Sequence, residues 1–468
     1  MPLAGGSRLP LAGGVALTER ECTTLCVEVV AVALTDEGPA AHDMTTRVAG
    51  LRRYRRLGFL TVLLVLLGVV TLVMSGVSPI RLLRTDVHCG RTASGDVSGQ
   101  LQCLVSQYVG QDPSVRNIEL AVAKGDGSFS WAGSAGAGHQ QGGTAMAAET
   151  PIYLASVTKI YIATLVMVLS QDKLLSLDDP AARYLPAGLI DGIDVYGGHD
   201  YSRQVTVRQL VSMTSGIADY YEEKGPDGKT GYDLFIEDPA KTWTVAEMIN
   251  RARTDLKAHF APGQGLYYSD TNYQLLGEII ENVTRTSLAS ALQNYLFGPL
   301  GLRHTWLTGS PEPAGLAAPA RVFDHQQDIT TVRASTDYWA DGGLVATPTD
   351  MIAFLRALHD GRIISPASLR TMQTWHDRDG SPTLPFSFVQ YGYGLWHFQM
   401  TGPLGALKNL VPTWGASGST GSFLYYSQPL DLYIAGTVDS ADHGMMTFVL
   451  MAGAMSLVSG NDHPSHGA

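Results

Sequence analysis

Two Ser-x-x-Lys tetrads sit in the stretch YLASVTKIYIATLVMVLSQDK: Ser156-Val-Thr-Lys159 and Ser170-Gln-Asp-Lys173. Three apart on a helix, a serine and a lysine share one face, where the amine can take the hydroxyl proton and make the oxygen a nucleophile. The apolar run between the tetrads predicts one buried helix, with Ser156 at its start and Ser170 at its end. At Ser156 the unpaired amides and the positive end of the helix dipole stabilise an oxyanion. At Ser170 the dipole has the opposite sign, and Lys173 is simply a favourable C-terminal cation. Ser156 is therefore the candidate nucleophile. Lys159 is the candidate base, and partial burial among the apolar residues that follow it is expected to lower its pKa.

Two further segments carry chemistry. In YYSDTNYQLLGEIIE, beginning at Tyr267, a locally extended backbone points the Tyr268 phenol and the Asp270 carboxyl the same way. The plain alternative is a surface loop before a helix capped by Asp270 or Thr271. In WGASGSTGSFLYYS, from Trp414, a Gly/Ser-rich run leads into a strand and can bring backbone amides close to a bound carbonyl; its central residues are Ala416, Ser417, Gly418 and Ser419. The sequence has no H-E-x-x-H and no G-x-S-x-G, so neither the zinc-protease pattern nor the α/β-hydrolase elbow competes.

The elements that must position these residues are legible in outline. VSGQLQCLVSQYV spaces Leu101, Leu104, Val105 and Val109 on one helical face. Ile118 to Lys124 and Phe129 to Gly133 read as a hairpin turning at Gly125-Asp-Gly127. Gly392 to Phe398, Gly421 to Tyr426 and Leu430 to Val438 read as strands, and Met445 to Val458 as a closing helix. Between the two strand-rich ends lie helix starts: capping boxes at Thr206-Val-Arg-Gln209 and Thr244-Val-Ala-Glu247, and Ser365-Pro366. The expected architecture is an antiparallel sheet flanked by helices, with a mostly helical insertion.

Taken together the three motif segments resemble the serine beta-lactamase-like family, which includes class C beta-lactamases, D-alanyl-D-alanine carboxypeptidases and related esterases. Ser156-Val-Thr-Lys159 matches its nucleophile motif, Tyr268-Ser-Asp270 its Tyr-x-Asn motif, and Ala416-Ser-Gly418 the place of its Lys/His-Thr-Gly motif. LVSMTSGIADY from Leu210, LFGPLGLRHTW from Leu296 and ADGGLVATPTDMIAFLRAL from Ala340 also look like family segments, so the likeness runs over about residues 97 to 460. The resemblance implies an α/β (α+β) fold with an all-helical subdomain. It also implies acyl transfer through a serine ester with no cofactor and no metal: Ser156 attacks, Lys159 and Tyr268 share the proton work, and the amides of Ser156 and Ser419 hold the oxyanion, beside Asp270, Ser417 and Gly418. Two positions depart from the pattern. Asp270 stands where relatives often have Asn; ionised, it accepts hydrogen bonds but donates none, and pairing with Lys159 would favour the charged amine. Ala416 stands where Lys or His helps to bind a substrate carboxylate, and losing such a charge-assisted bond costs about 1.5 to 3 kcal/mol. Arg333 is a candidate substitute. Ala416 favours a neutral ester or amide over a beta-lactam or D-alanyl-D-alanine substrate, and the two departures together motivate an alternative: a catalytically impaired member acting as a cell-envelope binding protein.

Composition bounds the rest. At 468 residues the chain can bury a large core without metal or disulfide staples. A net charge of -11 argues against nucleic acid as a partner, because phosphate binding needs a basic surface. Leu57 to Ile80 is charge-free and exceeds the roughly 20 residues that span a bilayer core. The cluster Arg47, Arg52, Arg53, Arg55 and Arg56 before it places the N-terminal side in the cytoplasm and the C-terminal domain outside, against a substrate that is a small molecule or of peptidoglycan type. The expected organisation is a disordered cytoplasmic segment at 1–56, a transmembrane helix at 57–80, a linker at 81–96, the hydrolase domain at 97–460 and a disordered tail at 461–468. Met44 opens a short basic lead-in of the kind that precedes an export signal, so residues 1–43 are expected to be a leader or to lie upstream of the true start. Of four cysteines, Cys22 and Cys26 read as unrelated thiols, whereas Cys89 and Cys103 can pair in an oxidising compartment.

Overall fold

The computed structural model describes residues 96–111, 115–136, 145–325, 327–330, 332, 339–377, 389–398, 411–441 and 444–460. All belong to the second of two units into which the chain divides, Val87–Ala468. The expected N-terminal segment, membrane span and tail lie outside the described residues, as do Cys22, Cys26, Cys89 and Arg333. Cys103 is held in a disulfide. Among the described residues no helix is long and apolar enough to cross a membrane.

The two strand-rich ends of the sequence meet in one eight-stranded sheet. Its strands are β1 (Asn117–Lys124) and β2 (Ser130–Gly136) from the N-terminal side, and β6 (His376–Asp377), β7 (Val389–Tyr391), β8 (Trp396–Phe398), β9 (Thr413–Ser417), β10 (Ser422–Ser427) and β11 (Leu432–Thr437) from the C-terminal side. The order is β6-β7-β8-β9-β10-β11-β1-β2, every pair antiparallel. The join is β1 on β11, with Leu120 opposite Gly436 and Val122 opposite Ile434. Both strands are buried along nearly their whole length, which is why they read as continuous apolar runs rather than as alternating ones. The opening helix α1 (Val97–Gln111) packs on β1 and β2, with Leu101, Leu104 and Val105 fully buried as their spacing predicts. The closing helix, α10 (Gly444–Gly460), lies against α1 and β11.

One expected strand is a turn and a shorter strand. Gly392 to Phe398 splits into the end of a turn and β8, because the chain reverses between β7 and β8, where Gly392 N–H donates to Leu395 O at 2.8 Å. The turn needs Gly394, whose φ is +68° and whose place for a Cβ lies 2.6 Å from the Lys159 carbonyl oxygen.

The helical insertion contains α3 (Val207–Val211), α4 (Gly231–Glu237), α5 (Val245–Asp255), α6 (Asp270–Thr284) and α7 (Leu288–Leu292). Both expected capping boxes close, Thr206 with Gln209 and Thr244 with Glu247, and a third forms at Thr230 with Asp233. Further on, Ser365 caps α9 (Pro366–Met372) ahead of its proline, and α8 (Pro348–His359) packs on β1, β10 and β11. Helix α6 starts differently from expectation. Its N-cap is Ser269, with no side-chain cap, because the hydroxyls near it are spent on another segment. Ser269 Oγ and Thr271 Oγ1 donate to Ala218 O at 3.0 and 2.7 Å, and Thr271 Oγ1 accepts from Tyr220 N–H at 3.0 Å. The start of α6 is thereby stitched to residues 218–220.

Candidate active site

Ser156 lies in a single 3₁₀ turn, Ala155–Val157, that runs directly into α2 (Thr158–Gln171). Apolar residues bury nearly every face of α2, so the turn is presented from a rigid support. A small sheet of β3 (Ile152–Tyr153), β5 (Leu344–Ala346) and β4 (Thr305–Leu307) fixes its entry. Leu154 N–H donates to Leu344 O at 2.9 Å and Leu344 N–H to Thr158 Oγ1 at 3.0 Å. Ala155 is driven to φ +42°, a left-handed backbone that costs a non-glycine residue on the order of 1 kcal/mol or more. That strain is held by the surrounding bonds and sets the direction of the nucleophile.

From the other side comes the end of β9. Ser422 Oγ donates to Leu154 O at 2.6 Å and Thr420 Oγ1 to Tyr153 O at 2.7 Å. A Cβ on Gly418 would sit 2.4 Å from Leu154 O and 3.0 Å from the Ala155 Cβ, so only glycine lets the strand pass the nucleophile. Gly418 N–H is spent on Ser422 O at 2.8 Å, and Ser417 Oγ is hydrogen-bonded to Tyr425 Oη at 2.8 Å. Ser419 is exposed, and its amide donates to no acceptor among the described residues. Ala416 is buried and brings no charge.

Lys159 joins these pieces. Its Nζ donates to Ser156 Oγ at 3.1 Å and to the Asp341 carbonyl oxygen at 2.8 Å, and forms an ion pair with Asp270 Oδ1. Three acceptors around a nitrogen 2% exposed match the three donors of an ammonium. The rings of Tyr268 and Tyr273 lie 5.1 and 5.6 Å from it, within cation–π range. Burial alone would push this ammonium down; Asp270 foremost, then Tyr268 and Asp341, outweigh it and hold Lys159 well above the ordinary lysine range. The expected lowering of its pKa is thus reversed, and the reason is the carboxylate at 270.

Tyr268 is 2% exposed, packed edge-on against Tyr391 at 5.6 Å and the half-exposed Trp396 at 6.0 Å. Its Oη makes no hydrogen bond of ordinary geometry, although Ser156 and Lys159 lie near enough to pull its pKa down against the larger upward push of burial. The extended backbone of Ser269, φ -145° and ψ 117°, is what turns the side chains at 268 and 270 toward the same ammonium.

Behind Lys159 lies a buried acidic cluster that motif reading missed. Asp341 Oδ2 accepts from Tyr220 Oη at 2.7 Å and Gln274 Nε2 at 2.9 Å. Asp219 accepts from the amides of Asp270 at 3.0 Å, Tyr221 at 3.2 Å and Glu222 at 3.1 Å. Burial and the charge of Asp270 push both carboxyls, at 219 and at 341, up. Arg251 holds the preceding loop, donating to the carbonyls of Tyr220, Glu223 and Lys229 at 2.7–3.0 Å. The signal was present: Asp219-Tyr220 ends LVSMTSGIADY and Asp341 is the second residue of ADGGLVATPTDM. A single sequence does not say that two segments so far apart meet. Of two concavities elsewhere, the one of about 710 Å³ beside Trp306 contains none of these residues and the one of about 490 Å³ beside Trp243 only Arg251, so the site is recognised by its converging polar groups. Among the described residues no His, Cys, Asp and Glu side chains form a group able to hold a metal.

A serine that follows a strained alanine, a lysine in contact with it and an adjacent phenol form the constellation for activating a hydroxyl. Comparison with known proteins agrees. The Beta-lactamase family model matches residues 105–444. Penicillin-binding protein 4 of Amycolatopsis lactamdurans is 27% identical over 303 residues, 62% of this chain and 71% of that one. Penicillin-binding protein 4* of Bacillus subtilis is 25% identical, over 56% of this chain and 55% of its own length. Among solved structures, a D-stereospecific amidohydrolase from Streptomyces sp. is 27% identical with a TM-score of 0.59, covering 75% of this chain and 97% of that one. A D-amino acid amidase from Ochrobactrum anthropi SV3, at 22% identity and a TM-score of 0.62 over 79% of this chain and all of the other, shares the fold.

Proposed function

The chain belongs to the beta-lactamase family, and from that premise we propose that it is a membrane-anchored serine hydrolase working outside the cytoplasm, through an acyl-enzyme on Ser156, on neutral esters or amides or on D-alanyl peptides of the cell wall. The observation that carries this reading is the shared nitrogen: Lys159 Nζ touches Ser156 Oγ and Asp270 while facing the Tyr268 ring. The anchor rests on the charge-free run Leu57 to Ile80 behind its arginine cluster.

In this mechanism the resting pair is ammonium plus phenol, and loss of one proton from the two together creates the base. Ser156 Oγ then bonds to the substrate carbonyl carbon while its proton passes to the Lys159–Tyr268 pair. Negative charge on the carbonyl oxygen is met by the amides of Ser156 and Ser419. Collapse of the intermediate expels the amine or alkoxide, which takes the proton from the pair. Water repeats the sequence on the ester, returning Ser156 and releasing the acid. Each role is carried by this chain's own side chains and amides.

The alternative is a binding protein that retains the fold but has lost turnover, and the Asp270 ion pair, which holds Lys159 protonated, is what favours it. A fluorophosphonate or labelled penicillin separates the two. Covalent labelling of the full chain that disappears in Ser156→Ala is the expected result; wild-type protein that never labels sinks the hydrolase reading.

A further inference from the structure

His259 touches both segments that deliver Tyr268 and Asp270 to Lys159, and it does so from the solvent side. Its Nε2 lies 2.9 Å from Glu223 Oε1, and its ring stacks on that of Tyr267, with centroids 3.5 Å apart and planes 19° from parallel. Neighbours on an extended chain face opposite ways, and here Tyr267 packs outward on His259 while Tyr268 packs inward over the Lys159 ammonium. Burial first, then Glu223, Asp219 and Glu222, push the Tyr267 hydroxyl up, and it donates to Glu223. The backbone beneath is fixed as well. His259 N–H donates to Gly216 O at 2.9 Å, and Gly216, at φ +90°, has no room for a Cβ, which would stand 2.1 Å from the Phe260 carbonyl oxygen.

Glu223 carries the contact inward. The oxygen that meets His259 also accepts from the Asp219 amide at 2.6 Å, and Arg251 clamps the Glu223 carbonyl at 3.0 Å. Asp219 Oδ1 accepts from the Asp270 amide at 3.0 Å, and Asp270 pairs with Lys159, whose Nζ donates to Ser156 Oγ. A run of polar contacts therefore joins a partly exposed imidazole to the nucleophile. A surface ion pair with nothing behind it contributes little. Here the shared oxygen also sets where the Asp219 backbone lies, and through it the start of α6. We propose that His259 and Glu223 are positioning residues for acyl transfer: from outside the site they set how Tyr268 and Asp270 stand about Lys159, His259 through Tyr267 and Glu223 through Asp219.

This deepens the proposed function and rests on it. The test follows the full chain on a neutral p-nitrophenyl ester from pH 6 to 10, beside fluorophosphonate labelling of Ser156. The pH–rate profile reports the proton held by Lys159 and Tyr268, whose charged neighbours are Asp270 and Asp341. Glu223→Ala frees the Asp219 amide and slackens Asp270 against Lys159, so the alkaline limb moves to lower pH. In the same variant kcat at pH 10 falls by about tenfold, within the roughly hundredfold that a misplacement of about 1 Å costs, and KM is unchanged. Glu223→Gln keeps an oxygen for that amide and restores the wild-type profile. His259→Phe keeps a ring against Tyr267, removes only the donor to Glu223, and shifts the limb the same way by less. A limb that stays in place in either variant, or a loss that Glu223→Gln does not restore, overturns the inference and leaves the hydrolase reading standing. Wild-type protein that does not label overturns the reading beneath it. Should Glu223→Ala fail to fold, the limb of His259→Phe decides.

Discussion

Replacing Asp270 by Asn tests what holds the catalytic nitrogen in its resting state. The substitution keeps the shape of the side chain and removes the charge in contact with Lys159 Nζ. Two unit charges at about 4 Å attract by about 4 kcal/mol at an effective dielectric of 20, roughly a thousandfold in the fraction of pairs that have lost a proton. Asp270 raises both Lys159 and Tyr268, so its removal lowers the proton affinity of the pair whichever member is the base. Wild-type kcat/KM on a neutral ester, measured from pH 6 to 10, should therefore climb through the alkaline range. The Asn variant should reach its plateau at lower pH and exceed wild type at pH 7 by tenfold or more.

Stability moves the other way. In the wild type Lys159 sits above its unfolded value, so the stability it contributes is present below the unfolded lysine pKa and lost only as pH rises through the folded one. In the variant burial dominates, the folded value falls below the unfolded one, and stability is lost as pH drops below the unfolded pKa. Asp270→Asn should thus be less stable than wild type at pH 7, by about 3 kcal/mol for a broken buried pair, and should recover part of that by pH 9 in denaturant melts. An unmoved pH–rate limb, or a tenfold loss on the neutral ester at every pH, would refute the argument and make Asp270 a required participant.

Two other substitutions probe the opposite wall. Ala416→His should raise kcat/KM selectively for substrates bearing a carboxylate on the leaving side, by roughly tenfold or more from one charge-assisted bond; an equal rise on neutral p-nitrophenyl esters would show that the position acts on the chemistry instead. Gly418→Ala should abolish fluorophosphonate labelling, because the new methyl would stand 2.4 Å from Leu154 O and must push β9 off the nucleophile turn; labelling at the wild-type rate would mean that the contact between β9 and Ala155 does not set the site.

What the sequence made legible here follows from how local each cause is. Helix α1, the hairpin β1–β2, the two Thr capping boxes and the Ser365 cap are written in residues within a turn of one another, and each forms where its pattern lies. The break between β7 and β8 was hidden because its cause is remote: Gly394 turns there so that the chain can pass the Lys159 carbonyl, far away in sequence. The start of α6 differs from the expected cap at Asp270 or Thr271 for the same reason, since the Thr271 hydroxyl, like that of the N-cap residue Ser269, is spent on Ala218.

The protonation of Lys159 shows where local reasoning stops and why. Apolar neighbours in sequence argue for a lowered pKa, and burial does act in that direction. The sign is set instead by charges that the fold delivers, Asp270 from α6 and Asp341 from the turn before β5, and the second is itself held by Tyr220 from a loop that Arg251 clamps. A Ser-x-x-Lys tetrad therefore fixes which atoms can react but not the pH at which they do. That property belongs to the carboxylates around the lysine, and one of them, Asp270, stands where the pattern this chain resembles often has Asn.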